Sequence, residues 1–171
     1  MTTFGRKRTT PITEEQALEK LATLCSAAEH CRQEMVDKCA AWGLPNDAAQ
    51  RVADRLEADK FIDDSRFAPL FVRDKARFGG WGPIKVRMAL KAKRVDDDMA
   101  DEAIDAFDKD EWRAILRNAL EQKLKTTRKD DPQKLLTSLI RFATQRGFDY
   151  TATRDALDEI WAEADMGELD P

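Results

Sequence analysis

Between Arg66 and Arg94 the sequence sets nine cationic side chains against one carboxylate, Asp74. The nine are Arg66, Arg73, Lys75, Arg77, Lys85, Arg87, Lys91, Lys93 and Arg94. The whole chain carries a formal charge of −4, so everything outside this stretch is acidic on balance. Positive charge concentrated on an acidic protein suits electrostatic docking to something anionic, such as nucleic-acid phosphate or an acidic protein surface. The competing reading is a solvated helix face, its charges paired with acids one turn away or with acids from other parts of the chain. Acids for pairing are missing inside the stretch, so docking is preferred and pairing with acidic neighbours stays open. Asp74 is expected to pair with an arginine, either Arg77 or one from the next helix.

Other chemistries find little support. A catalytic site needs a positioned nucleophile, base or metal. The chain has one histidine, His30, and three cysteines, Cys25, Cys31 and Cys39, whose spacing matches no zinc pattern of two close pairs. The run Gly79-Gly80-Trp81-Gly82-Pro83-Ile84-Lys85 lacks the order of a phosphate-binding loop and follows no strand, so it reads as a turn. The many carboxylates are spread along helix surfaces, where they solvate and cap. No catalytic residue, metal or cofactor is expected.

Two helical patterns must position the basic residues. In the first, Phe67, Leu70, Phe71 and Phe78 fall on one apolar side, with Arg66, Arg73 and Arg77 in a stripe beside it. The glycine-rich corner breaks that helix, and Pro83 suits the first position of the next. There Val86, Ala89 and Leu90 make the apolar face, and Arg87, Lys91 and Arg94 line up at i, i+4 and i+7. Trp81 sits in the corner, either packing the loop down or stacking on a partner.

The flanks are also helical. Thr13-Glu14-Glu15-Gln16 is a capping box, and Cys31 stands where serine would cap better. The acids Asp96, Asp97 and Asp98 suit a helix start. Asp110-Glu111, Asp131-Pro132 and Asp149 open three more helices. Sliding the chain on itself superposes three segments anchored at Leu44, Val95 and Phe148. Met35, Val86 and Leu139 stand nine residues before the anchors, and Cys39, Leu90 and Ala143 five before. Val52, Ala103 and Ala156 stand eight after; Ala53, Ile104 and Leu157 nine after; Leu56, Phe107 and Ile160 twelve after. The turn falls at one place in all three, which a shared helical period alone does not require. The spacing predicts an all-α fold of three tandem three-helix repeats, stacked as an elongated, curved array. Expected boundaries are 13–62, 63–108 and 109–165, after a disordered basic arm (1–12, with Arg6, Lys7 and Arg8) and before a frayed tail (166–171). The arm reads equally as a plain tail or as a nucleic-acid contact.

With 42% apolar and 36% charged residues, the composition fits a charge-rich helical protein rather than a disordered one. No apolar run approaches the length of a membrane span, and the start has no apolar core of a secretory signal. An odd number of cysteines then reads as reduced thiols, and a cytoplasmic monomer that meets no membrane is expected.

Residues of the middle segment also resemble a known family. Asp63-Asp64-Ser65-Arg66-Phe67-Ala68, Phe71-Val72-Arg73, Gly82-Pro83-Ile84-Lys85-Val86 and Leu90-Lys91-Ala92-Lys93-Arg94-Val95 look like the signature of the RecX regulatory proteins of bacteria. The likeness is strongest over 63–107, and the three-repeat rhythm extends it loosely over nearly the whole chain. One departure is Arg94, where the family usually has glycine. The resemblance implies a non-enzymatic regulator of the RecA recombinase that lodges in the groove of the RecA–DNA filament. It would damp ATP hydrolysis, strand exchange and co-protease activity in DNA repair, DNA recombination and the SOS response. The alternative is a helical protein that binds single- or double-stranded DNA directly, without a recombinase target; an enzyme is the third and weakest reading.

Overall fold

The computed structural model describes residues 12–127 and 131–167. Among these it has no strand and nine helices: α1 (Glu14–Ala27), α2 (Arg32–Ala41), α3 (Asn46–Ala58), α4 (Asp64–Arg77), α5 (Pro83–Ala92), α6 (Asp97–Asp105), α7 (Lys109–Thr126), α8 (Pro132–Arg146) and α9 (Tyr150–Gly167). The basic arm at Arg6–Arg8 and the end of the tail lie outside the described residues. Met166 and Gly167, expected in the tail, close α9. The chain divides into two compact units between Phe67 and Ala68, inside α4.

In the first unit, α1 and α2 both pack on α3. Leu21, Met35, Cys39 and Leu56 have no exposed surface and form its centre. The capping box forms as read: the Gln16 N–H donates to Thr13 Oγ1 (3.2 Å), and the Thr13 N–H donates to Gln16 Oε1 (3.1 Å). Cys31 is the N-cap of α2 but supplies no capping bond. A carboxylate distant in sequence does so instead, the Arg32 N–H donating to Asp64 Oδ1 at 2.9 Å.

In the second unit, α5 packs on α6, and α7, α8 and α9 pack on one another. The buried residues run from Val72 and Ala76 through Val86, Leu90, Val95 and Ala100 to Leu116, Leu120, Leu139, Phe148 and Leu157. The inward face of α4 differs from the expected Phe67–Leu70–Phe71–Phe78 stripe. Ala68, Val72 and Ala76 are its buried line, with Phe67 also buried; Leu70 and Phe71 are half-buried. Phe78 follows the last residue of α4 and is 86% exposed. The small side chains face inward because they form an unbroken i, i+4, i+8 row on the helix. Ranking residues by size picks the neighbouring row instead.

The recurring turn has a single geometry. Leu44, Val95 and Phe148 each donate a backbone N–H to the carbonyl five residues earlier, on Cys39, Leu90 and Ala143, at 3.1 Å in every case. The residue before each anchor is left-handed: Gly43 (φ 88°), Arg94 (φ 56°) and Gly147 (φ 91°). Each of those donates to the carbonyl three residues earlier at 2.9 Å. This is the Schellman ending, which satisfies the helix's last carbonyls and favours glycine at the left-handed position. Arg94 therefore keeps the backbone that glycine would adopt, at a steric cost. The helix also stops at Ala92, so the expected Arg87–Lys91–Arg94 stripe does not continue to Arg94.

An Arg94→Gly substitution is accordingly expected to stabilise the second unit. Removing the left-handed penalty of roughly 1–2 kcal/mol is offset by about 0.4–1 kcal/mol of extra unfolded-chain entropy. The net gain is about 1 kcal/mol, read as a higher denaturant midpoint at unchanged slope. A lowered midpoint would mean that the Arg94 side chain itself supports the fold.

Candidate anion-docking site

The nine basic residues separate into two populations. Arg66 falls in the first compact unit, where its Nε donates to Glu29 Oε1 at 2.5 Å. The remaining eight fall in the second. Three of their arginines are engaged by carboxylates. Arg73 Nε is 3.3 Å from Asp74, so the partner of Asp74 is Arg73 rather than Arg77 or a residue of the next helix. Arg77 grips Glu111 with two bonds, at 2.5 and 3.0 Å. Arg87 grips Asp101 likewise, at 2.5 and 2.7 Å. Asp101 lies on α6 and Glu111 in the first turn of α7, both outside the basic run. Pairing with acids from other segments, left open by the sequence, therefore holds for Arg77 and Arg87.

The hydrogen bond from Arg77 holds the Glu111 carboxyl below the usual range, and that from Arg87 does the same for Asp101. Depressed carboxylates contribute to stability above their unfolded pKa and lose that contribution as pH falls through the folded value. Both pairs are exposed, so they position the arginines more than they stabilise the fold.

Three of the lysines lie against aromatic rings. Lys75 Nζ lies 5.3 Å from the ring centre of Phe71 and 5.1 Å from that of Trp81. Lys85 Nζ lies 4.5 Å from the Trp81 ring, and Lys93 Nζ lies 5.6 Å from Phe71. Three ammonium groups, from α4, the first turn of α5 and its C-cap, thus gather on two half-buried rings. The negative ring faces attract the cations and restrict their long stems. Of the two roles open to Trp81, the ring's partners within the chain are lysines. Lys91 and Arg94 complete the group as exposed cations that have no ion pair among the described residues.

The fold brings this cluster together through the corner. The Gly82 N–H donates to the Arg146 carbonyl at 2.6 Å, and the Ile84 N–H donates to the Gly147 carbonyl at 3.1 Å. These bonds anchor the start of α5 to the end of α8, and so fix Trp81 and Lys85. The Phe71–Lys75 contact is available from sequence as an i, i+4 pair on one helix. The contact of Lys93 with Phe71 is not, because it needs the α4–α5 corner to close. Sequence reasoning also missed the outward apolar side chains Phe78, Ile84 and Met88, which are 86%, 48% and 68% exposed.

No other place assembles a reactive constellation among the described residues. No three His, Cys, Asp or Glu side chains are arranged to hold a metal. Burial raises the Cys25 and Cys39 thiols, which keeps them protonated and poorly nucleophilic. His30 is bonded to Glu34 at 2.8 Å. A cavity of about 670 Å³ has Pro83, Trp112, Leu116, Phe148, Arg113 and Asp155 in its lining and none of the three lysines. No described helix is long and apolar enough to cross a membrane.

Fold and surface together define a class of all-helical proteins with a run of basic residues along α4 and α5. Residues 63–104 match the family model of the RecX second three-helix domain. The chain is 32% identical over 148 residues to the regulatory protein RecX of Prosthecochloris aestuarii, covering 85% of this chain and 93% of that one. It is 30% identical over 150 residues to regulatory protein RecX of Chlorobaculum tepidum, covering 88% and 91%. The chain belongs to the RecX family of regulatory proteins. Two crystal structures share its fold. One, of regulatory protein RecX, superposes with a TM-score of 0.77 at 17% identity, over 85% of this chain and 71% of that one. The other, of RecX from Lactobacillus salivarius, gives 0.73 at 18% identity, over 85% and 95%.

Proposed function

We propose that this protein regulates the RecA recombinase filament, mainly as an inhibitor of its ATPase, strand-exchange and co-protease activities, and that it docks through the basic middle segment. Membership of a regulatory family supports the first part. The observation that carries the second is the gathering of Lys75, Lys85 and Lys93 on Phe71 and Trp81, with Lys91 and Arg94 exposed nearby in sequence. Ammonium groups gathered on rings suit a phosphate backbone or an acidic protein surface, and a filament offers both in its DNA and its recombinase. Arg73, Arg77 and Arg87 hold carboxylates already, so their part is to set the helices that carry the lysines.

The same cluster favours a second reading, direct binding of DNA with no recombinase target. Measuring ATP hydrolysis by preformed RecA filaments separates them. Substoichiometric protein is expected to slow hydrolysis, and added free DNA is expected to leave the effect in place. Inhibition that vanishes with excess DNA would move the function to the second reading.

A further inference from the structure

The corner between α4 and α5 has another face. Phe78 stands there as the most exposed of the large apolar side chains among the described residues. It borders a groove of about 520 Å³ that also has Arg77, Asn118, Gln122, Lys123 and Arg146 in its lining. None of the described residues lining the groove is a carboxylate. Two cations converge on one ring: the Arg146 guanidinium lies 4.7 Å from the centre of Phe142, and Lys123 Nζ lies 5.6 Å from it.

Arg146 is unusual in this chain. Most described arginines hold a carboxylate, whereas Arg146 Nη1 makes only long bonds to the carbonyls of Gly79 (3.4 Å) and Gly80 (3.3 Å). Its Nε is buried with no acceptor among the described residues. Its charge is therefore not compensated by a neighbouring acid. Guanidinium, ammonium and side-chain amides along one open groove suit an anion rich in acceptors. An exposed phenylalanine at the margin offers a platform for a flat ring.

We infer that this groove binds one nucleotide unit of a single-stranded nucleic acid, with the phosphate against Lys123 and Arg146 and the base stacked on Phe78. Paired bases have no free face to stack, which excludes a duplex. Phe78 offers the base one exposed ring, while the second ring in the lining, Phe142, is engaged by Lys123 and Arg146. A lone nucleotide would gain little there, while a strand adds further phosphate contacts. The inference rests on the DNA side of the reading above and extends it to a second surface.

Binding of a fluorescently labelled oligothymidylate, and of an abasic strand of equal length, tests this without recombinase. Phe78 is exposed, so Phe78→Ala is expected to keep its helical content by circular dichroism. It is expected to weaken oligothymidylate binding roughly fivefold to hundredfold and to leave the abasic strand unaffected. Phe78→Tyr should bind like the parent. Lys123→Gln should weaken both strands and lower the slope of log affinity against log salt by roughly 0.7. Equal binding of oligothymidylate by Phe78→Ala and the parent would overturn the proposal, as would an equal weakening on the abasic strand. So would thymidine monophosphate that binds as tightly as the oligomer. A parent protein that fails to inhibit the filament, with this pattern on naked DNA intact, would sink the recombinase reading and leave the groove standing.

Discussion

Gly147→Ala is expected to cost the second unit roughly 2–5 kcal/mol. Two causes act at once. Gly147 is left-handed, with φ 91°, where alanine is strained. An added Cβ would also lie 2.4 Å from the backbone N and the Cβ of Lys85. Those atoms belong to the start of α5, held against the end of α8 by the bonds from Gly82 to the Arg146 carbonyl and from Ile84 to the Gly147 carbonyl. Gly43 provides the control. Its φ is 88° at the matching turn, yet nothing lies within 4 Å of its added Cβ. Gly43→Ala should therefore show only the left-handed penalty, roughly 1–2 kcal/mol. Chemical denaturation of both variants measures the difference, and hydrogen exchange at the amides of α5 and α8 localises it. Equal destabilisation of the two variants would show that the α5–α8 contact contributes nothing.

The second large effect concerns binding. Changing Lys75, Lys85 and Lys93 together to Gln is expected to leave the helical content intact and to weaken binding to DNA or to the filament severely. Removing one phosphate neighbour lowers the slope of log affinity against log salt by roughly 0.7–0.9, depending on strand state. The fold should survive because none of the three lies in the buried core. Arg77→Gln and Arg87→Gln serve as the contrast, since those guanidinium groups are held by Glu111 and Asp101. These two substitutions should change the salt slope by much less. Both measurements are made on naked single-stranded DNA and on RecA filaments, because an acidic recombinase surface also gives salt-sensitive binding. A lysine triple variant that binds and inhibits like the parent on both would reduce the cluster to a solvated face.

Helix content, helix starts and the repeat were legible in the sequence, because each depends on near neighbours along the chain. Thr13 and Gln16 cap within one turn, and Asp96, Asp131 and Asp149 accept amide protons two or three residues ahead. The turn before Leu44, Val95 and Phe148 closes over five residues, so its position could be read from apolar spacing alone. Which cations are held by carboxylates could not. Glu111 is 34 residues from Arg77, and Asp101 is 14 from Arg87, so each pairing exists only once helices pack. Charge counting within Arg66–Arg94 therefore treated all nine residues alike. Packing pairs Arg77 with Glu111 and Arg87 with Asp101, and draws Lys75, Lys85 and Lys93 onto two rings. The same limit applies to α4. Periodicity in the sequence points to the large residues Phe67, Leu70, Phe71 and Phe78 as its apolar side. The buried row is Ala68, Val72 and Ala76, one i, i+4, i+8 line of the helix, and Phe78, just past the helix end, stands in water.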